Sequence, residues 1–170
     1  MVKGLKQTSS VVSIGFRADE LAANTFVENS VDLNLSPLDR EVFVVLAINL
    51  DPLTPDSVAG TTTSVRTSLT TTSQTAVANL SNSNCLASAN NVIRMNAGSV
   101  DGVAFQTLGL ETPPSTLEFI GIIATNDFFV QCVGTGNTGT TLVTGKLYGY
   151  RAVADASVFA ALVQSEVLSA

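Results

Sequence analysis

Glu41-Val42-Phe43-Val44-Val45-Leu46-Ala47-Ile48-Asn49-Leu50-Asp51-Pro52 is the stretch on which the fold turns. Val42 to Ile48 is the longest apolar run in the chain, and it is too short for most helices. It also falls well below the roughly 18 residues of a membrane span. β-Branched and aromatic residues dominate it without an alternating polar partner, which predicts a central strand covered on both faces. Asp51-Pro52-Leu53-Thr54-Pro55-Asp56 closes it, because proline has no N–H to offer a ladder.

Outward from this strand the period is two. Val31, Leu33 and Leu35 alternate with Asp32 and Asn34, which predicts a strand with one dry face ahead of the turn at Ser36-Pro37-Leu38-Asp39. Thr61 to Thr70 places Val65, Thr67 and Leu69 on one face, and Gln74 to Leu80 alternates again. Threonine suits these positions because its branched Cβ fits the pleat. The polar run Asn79 to Asn91 is expected as a long loop, with strands following at Val92 to Met95 and Val100 to Leu108. Pro113-Pro114 marks a connection, and Phe119 to Ala124 and Phe128 to Val133 are expected strands. Gly134-Thr135-Gly136-Asn137-Thr138-Gly139 is expected to turn a hairpin into the strand Thr140 to Ala152. Asp155 then stands where a cap would start a short helix whose apolar face is Phe159, Leu162, Val163 and Val167.

Eight to ten short strands and one terminal helix in 170 residues predict an all-β fold. The expected form is an antiparallel β-sandwich, a jelly roll of about eight strands with a short C-terminal helix. A doubly wound sheet would need alternating helices, and the pattern has none. One domain is expected over residues 19–170, preceded by a basic N-terminal arm over residues 1–18.

Composition narrows function. Histidine is absent, which removes Ser-His-Asp and Cys-His catalysis and histidine metal ligands. Two cysteines cannot complete an all-cysteine zinc site, and Cys85 is expected to be half exposed and Cys132 buried. Lysine occurs only at positions 3, 6 and 146, so Schiff-base chemistry has few candidates. No enzyme activity, cofactor or metal is therefore expected. Gly134 to Gly139 matches the dinucleotide-binding G-x-G-x-x-G spacing, but a strand rather than a helix follows it, so a turn is expected. Asp51 and Asp56 flank prolines in what is expected to be a solvated loop rather than a calcium site.

Charge is the compositional oddity. Charged residues make up 13% of the chain, about half the usual share, while hydrophobic residues reach 45%. The first 18 residues hold Lys3, Lys6 and Arg17 and no acid, a net of +3; the remainder carries five basic and 14 acidic residues, giving −6 for the whole. Such an arm is expected to make weak, non-specific contact with nucleic acid, or to touch an acidic neighbouring subunit.

The strand Glu41 to Pro52, the late segments Phe128 to Val133 and Leu147-Tyr148-Gly149-Tyr150-Arg151, the short basic arm and the Thr-rich middle together resemble a single jelly-roll capsid protein of a small tailless icosahedral virus. The likeness is one of layout and spans most of the chain. It implies a coat subunit that assembles with copies of itself into a virion shell in the host cytoplasm, without catalysis and with other virion proteins as neighbours. The arm departs from the pattern, being much less basic than in capsids that condense RNA directly. The Phe159-to-Val167 face then has two destinations, its own sandwich or a neighbouring subunit. Two other readings compete: a subunit of a helical fibre, appendage or surface layer, and a carbohydrate- or receptor-binding module using loops Asp51 to Thr61 or Asn79 to Asn91.

Overall fold

A buried backbone N–H or C=O needs a partner, and in this chain antiparallel ladders supply many of them. The computed structural model describes residues 3–96, 98, 100–109 and 117–169. Among them lie β1 (Leu5–Gln7), β2 (Val12–Asp19), β3 (Val27–Asp32), β4 (Glu41–Pro52), β5 (Thr63–Thr70), β6 (Cys85–Met95), β7 (Gly102–Gly109), β8 (Gly121–Ile123), β9 (Asp127–Thr135), β10 (Leu142–Ala154) and α1 (Ala156–Leu168). The connection expected at Pro113-Pro114 lies outside the described residues.

The pairing is nested. β2 pairs with β10, β3 with β9, β4 with β8 and β5 with β6, all antiparallel, so the chain doubles back on itself as one long ribbon. Rolled up, the ribbon gives two sheets: β10 stands between β4 and the shared edge of β1 and β2, with β8 beyond β4, while the other sheet runs β3-β9-β5-β6-β7. This is the path of a jelly roll. β7 is an addition on the outer edge of the second sheet.

Between the sheets sit Phe16, Phe43, Val45, Ile48, Leu50, Val65, Leu69, Phe128, Val130 and Leu147. Each such side chain contributes about 1.5–3 kcal/mol on full burial. Phe16 meets Phe128 edge to face, with ring centroids 5.8 Å apart. The unbroken apolar run of β4 has a structural cause. Val42 and Val44 face outward, yet both are fully buried, because α1 and the β10 residues Ala152 and Ala154 cover them. A bulge against Tyr148 and Gly149 then shifts the phase, so Ile48 and Leu50 point inward after Phe43 and Val45.

Several expected elements differ. Leu33 and Leu35 are buried as their alternation implies, but the ladder ends at Asp32, since Asn34 takes a positive φ of 51°. Gln74 to Leu80 is not a strand. It belongs to a flap over the outer face of the β5/β9 sheet, which buries Ser68, Thr70 and Gln131 completely. Conversely Cys85 to Asn91, expected as loop, is strand: it ladders with β5 while the small Ala87 and Ala89 enter the core between the sheets. Cys85 is accordingly buried rather than half exposed, and both thiols are free. No hairpin joins β9 to β10; they lie in different sheets, and Gly134 to Thr141 carries the chain across.

The arm expected over residues 1–18 also differs. Leu5–Gln7 and Val12–Asp19 are strands on β10, with Leu5, Phe16 and Ala18 buried, so the sandwich begins at residue 5. In the helix, Phe159, Leu162 and Val163, with Val158, pack partly buried against this chain's own sheet. Val167 is exposed, and Glu166 is buried in its place. At about 100° per residue, position 166 lies only about 20° from Phe159 around the helix, whereas 167 lies about 80° away on the other side. Asp155 is the N-cap residue, but its side chain makes no capping bond.

Gly149 and Gly145 lack side chains because aromatic rings occupy their space. A Cβ on Gly149 would sit 2.3 Å from the Val44 carbonyl oxygen and 2.4 Å from the Phe43 ring. Gly149→Ala is therefore expected to destabilise by about 2 kcal/mol or more, as overpacking does. Gly15→Ala, which meets nothing within 4 Å, is expected to stay within about 0.5 kcal/mol of the parent in urea unfolding.

Candidate functional site

The acidic residues are the natural place to look for chemistry, and the structure shows where they go. Glu20, buried just after β2, accepts the Gly134 N–H at 2.7 Å and the Thr141 N–H at 2.8 Å, closing the base of the β9–β10 crossing. Asp56 accepts the N–H of Thr138 at 2.9 Å, its hydroxyl at 2.8 Å and the Gly139 N–H at 3.0 Å. Asn137 completes the tie: its Oδ1 accepts the Asp56 N–H and its Nδ2 donates to the Ser64 carbonyl. At the tip Gly136 has φ 70°, and a Cβ there would meet the Thr62 carbonyl at 2.8 Å. Far from cradling a phosphate, the glycine-rich segment is held by carboxylates.

Other acids behave alike. Glu166 reaches from α1 to accept the N–H groups of Ala124 and Thr125 and the Thr125 hydroxyl. Glu28 accepts the Gln74 N–H and the Gln131 amide, pinning the flap. Glu41 accepts the Ser36 N–H and Asp32 that of Asn34. Asp51 lies on β4 opposite Thr144, and among the described residues no group of three or more His, Cys, Asp or Glu is gathered to hold a metal. The expected loop at Asp56 is thus a tied one.

The three basic residues of the N-terminal segment are not brought together. Lys6 stands opposite Val153 and Arg17 opposite Thr144, at opposite ends of β10 and about 30 Å apart along the strand. Lys3 is exposed before β1. Arg17 donates through Nε to both Asp19 carboxylate oxygens, at 2.9 and 2.7 Å. That hydrogen bond, with the attraction of the charges, raises Arg17 above its ordinary pKa, and the same bond lowers Asp19. Both side chains are exposed, and the pair engages Arg17 only through Nε.

Several large apolar side chains also lie on the surface. Leu21 and Leu38 project from loops, each 95% exposed. Val103, Phe105 and Leu108 stand exposed on β7, and Phe105 keeps 55% of its surface. An open concavity of about 240 Å³ runs beneath β7, lined by Thr54, Pro55, Asn91, Ile93, Ala104 and Gln106 among others. Asn91 donates to the Pro52 carbonyl, but its Oδ1 is buried with no partner. A second apolar concavity, about 290 Å³, lies between Phe159 and Val163 of α1 and the Leu35–Pro37 segment. Sequence reasoning passed over β7 as a surface, although its uncharged run Gly102 to Gly109 was the available signal. No helix among the described residues is long and apolar enough to cross a membrane.

The fold and surface together define an antiparallel jelly-roll sandwich with tied loops and an apolar free edge. No protein-family model matches the chain, and no curated protein does. Among solved structures it is similar to a chain titled Desmodium yellow mottle tymovirus, at 14% identity and a TM-score of 0.30, covering 87% of this chain and 91% of that one.

Two outcomes check this account of the polar groups. The Asp56 pKa lies below its ordinary value, first because of the Thr138 hydroxyl bond and then the Gly139 and Thr138 N–H groups. A depressed carboxylate pKa stabilises the fold above its unfolded value and loses that effect as pH falls through the folded one. The stability difference between wild type and Asp56→Asn is thus expected to be full at pH about 7, above the ordinary carboxylate range, and to shrink in acid as pH falls through the lowered Asp56 pKa. Burial pushes Cys85 and Cys132 up to about 11. Both thiols should resist an aromatic disulfide reagent at pH about 8 until denaturant is added.

Proposed function

We propose that this chain is a structural subunit, a capsid or coat protein that self-assembles into a closed icosahedral virion shell enclosing a genome. The observation that carries the reading is the uncharged, apolar β7 edge on a sandwich in which several acids hold its own loops. Subunits that bury surface on several sides favour apolar, charge-poor contact zones. Exposed Leu21 and Leu38, on loops away from β7, supply further apolar contact points. The nested ribbon fits the layout of the capsid proteins that the sequence resembles. Self-association is the partner relation this surface favours, with the virion as its location. Lys3 and Lys6 offer the weak nucleic-acid contact, and no catalytic step or cofactor belongs to the reading. A helical fibre or surface layer is the alternative, differing in whether repeated heterologous contacts close.

Size-exclusion chromatography with negative-stain microscopy tests this. Closed particles of uniform diameter are expected; open filaments would replace the shell with the alternative. A chain that stays monomeric at high concentration and binds a glycan would contradict assembly. Changing Lys3 and Lys6 to Glu is expected to lower the nucleic acid carried by the particles. Unchanged content would remove the N-terminal residues from packaging.

A further inference from the structure

A sheet edge is a row of free hydrogen-bonding groups, and proteins normally blunt it with charge, proline, a bulge or brevity. Three of the edges here are blunted. β1 and β8 are three residues each, and β3 carries Glu28 and Asp32. β2 carries Arg17 and Asp19, and the Arg17 carbonyl is taken by the Asn29 side chain. β7 has none of these devices. It is eight residues long, pairs with β6 in unbroken register from Met95 opposite Gly102 to Ser88 opposite Gly109, and holds no charge and no proline. Among the described residues its other edge pairs with nothing.

We propose that β7 is a strand-addition edge at which two copies of this chain pair antiparallel across a two-fold axis, joining their second sheets into one. The proposal deepens the self-assembly reading by naming the contact on which it rests. A second copy is the occupant that charge favours. Two chains of net charge −6 repel, and they approach most easily through a segment with no charge of its own. A two-fold pairing centred on Phe105 sets Phe105 against Phe105, Val103 against Thr107 and Ala104 against Gln106. It also sets each Asp101 across from Gly109, so the two Asp101 residues stay apart. Aromatic and β-branched partners of this kind are the favourable cross-strand pairs. The added strand would wall the open side of the concavity beneath β7, where Asn91 Oδ1 is buried without a partner. Main-chain pairing of this kind is an established route to recognition between proteins.

Cysteine cross-linking in the full chain tests both contact and register, since the native thiols are buried. Under mild air oxidation Phe105→Cys is expected to give a covalent dimer. Val103→Cys and Thr107→Cys should cross-link when mixed and far less when alone. Like positions are then about 14 Å apart along the strand, while a disulfide needs its Cα atoms within about 7 Å. Phe105→Lys, with an unchanged circular dichroism spectrum, is expected to weaken dimerisation by about tenfold or more. Particles that form while Phe105→Cys stays uncross-linked would overturn this inference and leave the shell reading standing. A cross-linked dimer that never forms particles would keep the inference and overturn the shell. Neither dimer nor particle would overturn both.

Discussion

A rolled ribbon must cross between its two sheets at almost every loop, and at each crossing backbone N–H groups lose their ladder partners. In this protein carboxylates supply what the ladders cannot. Glu20 holds both ends of the β9–β10 crossing, Asp56 its tip, and Glu166 the Ala124–Thr125 corner; Glu28 pins the flap, and Glu41 and Asp32 hold the segment between β3 and β4. A carboxylate is a stronger acceptor for these N–H groups than a neutral oxygen. The ribbon stays rolled because these ties make its irregular corners as satisfied as its strands.

The same arrangement shapes the surface. Among the described residues at least six acids accept loop N–H groups, and two of them, Glu20 and Glu166, are buried, so part of an already low charge is turned inward. Apolar residues fill the difference on β7 and at Leu21 and Leu38. The Ser- and Thr-rich middle plays a different part from the one its composition suggests. It folds outward as a flap, so Gln131, Ser68 and Thr70 form a buried polar layer with satisfied hydrogen bonds instead of an exposed sheet face.

Much of this was legible in the residues and some was not, for identifiable reasons. The run Val42 to Ile48 announced a strand covered on both faces, and α1 is the outer cover. Period two located most strands, because burial on one face imposes it. It failed at Gln74 to Leu80, where small alternating residues sit in a flap whose N–H groups donate to Glu28 and Ser68, which no local pattern encodes. It also failed at the β9–β10 connection, where a glycine-rich turn reads alike whether it closes a hairpin or crosses between sheets. The partner that decides, Glu20, lies more than a hundred residues away. The basic segment was visible as charge, but its strand pairing depended on the distant β10. The helix face was read one residue too far, because a carboxylate was not expected in an apolar stripe.

Amide hydrogen exchange of the native chain tests the central claim most directly. If carboxylates hold the crossings, the Gly134, Thr141, Ala124 and Thr125 amides should be protected to within about tenfold of neighbouring β9 and β10 strand amides, since corner and strand then open together. Exchange of those four at the rate of an unstructured loop, with the strands still protected, would contradict it.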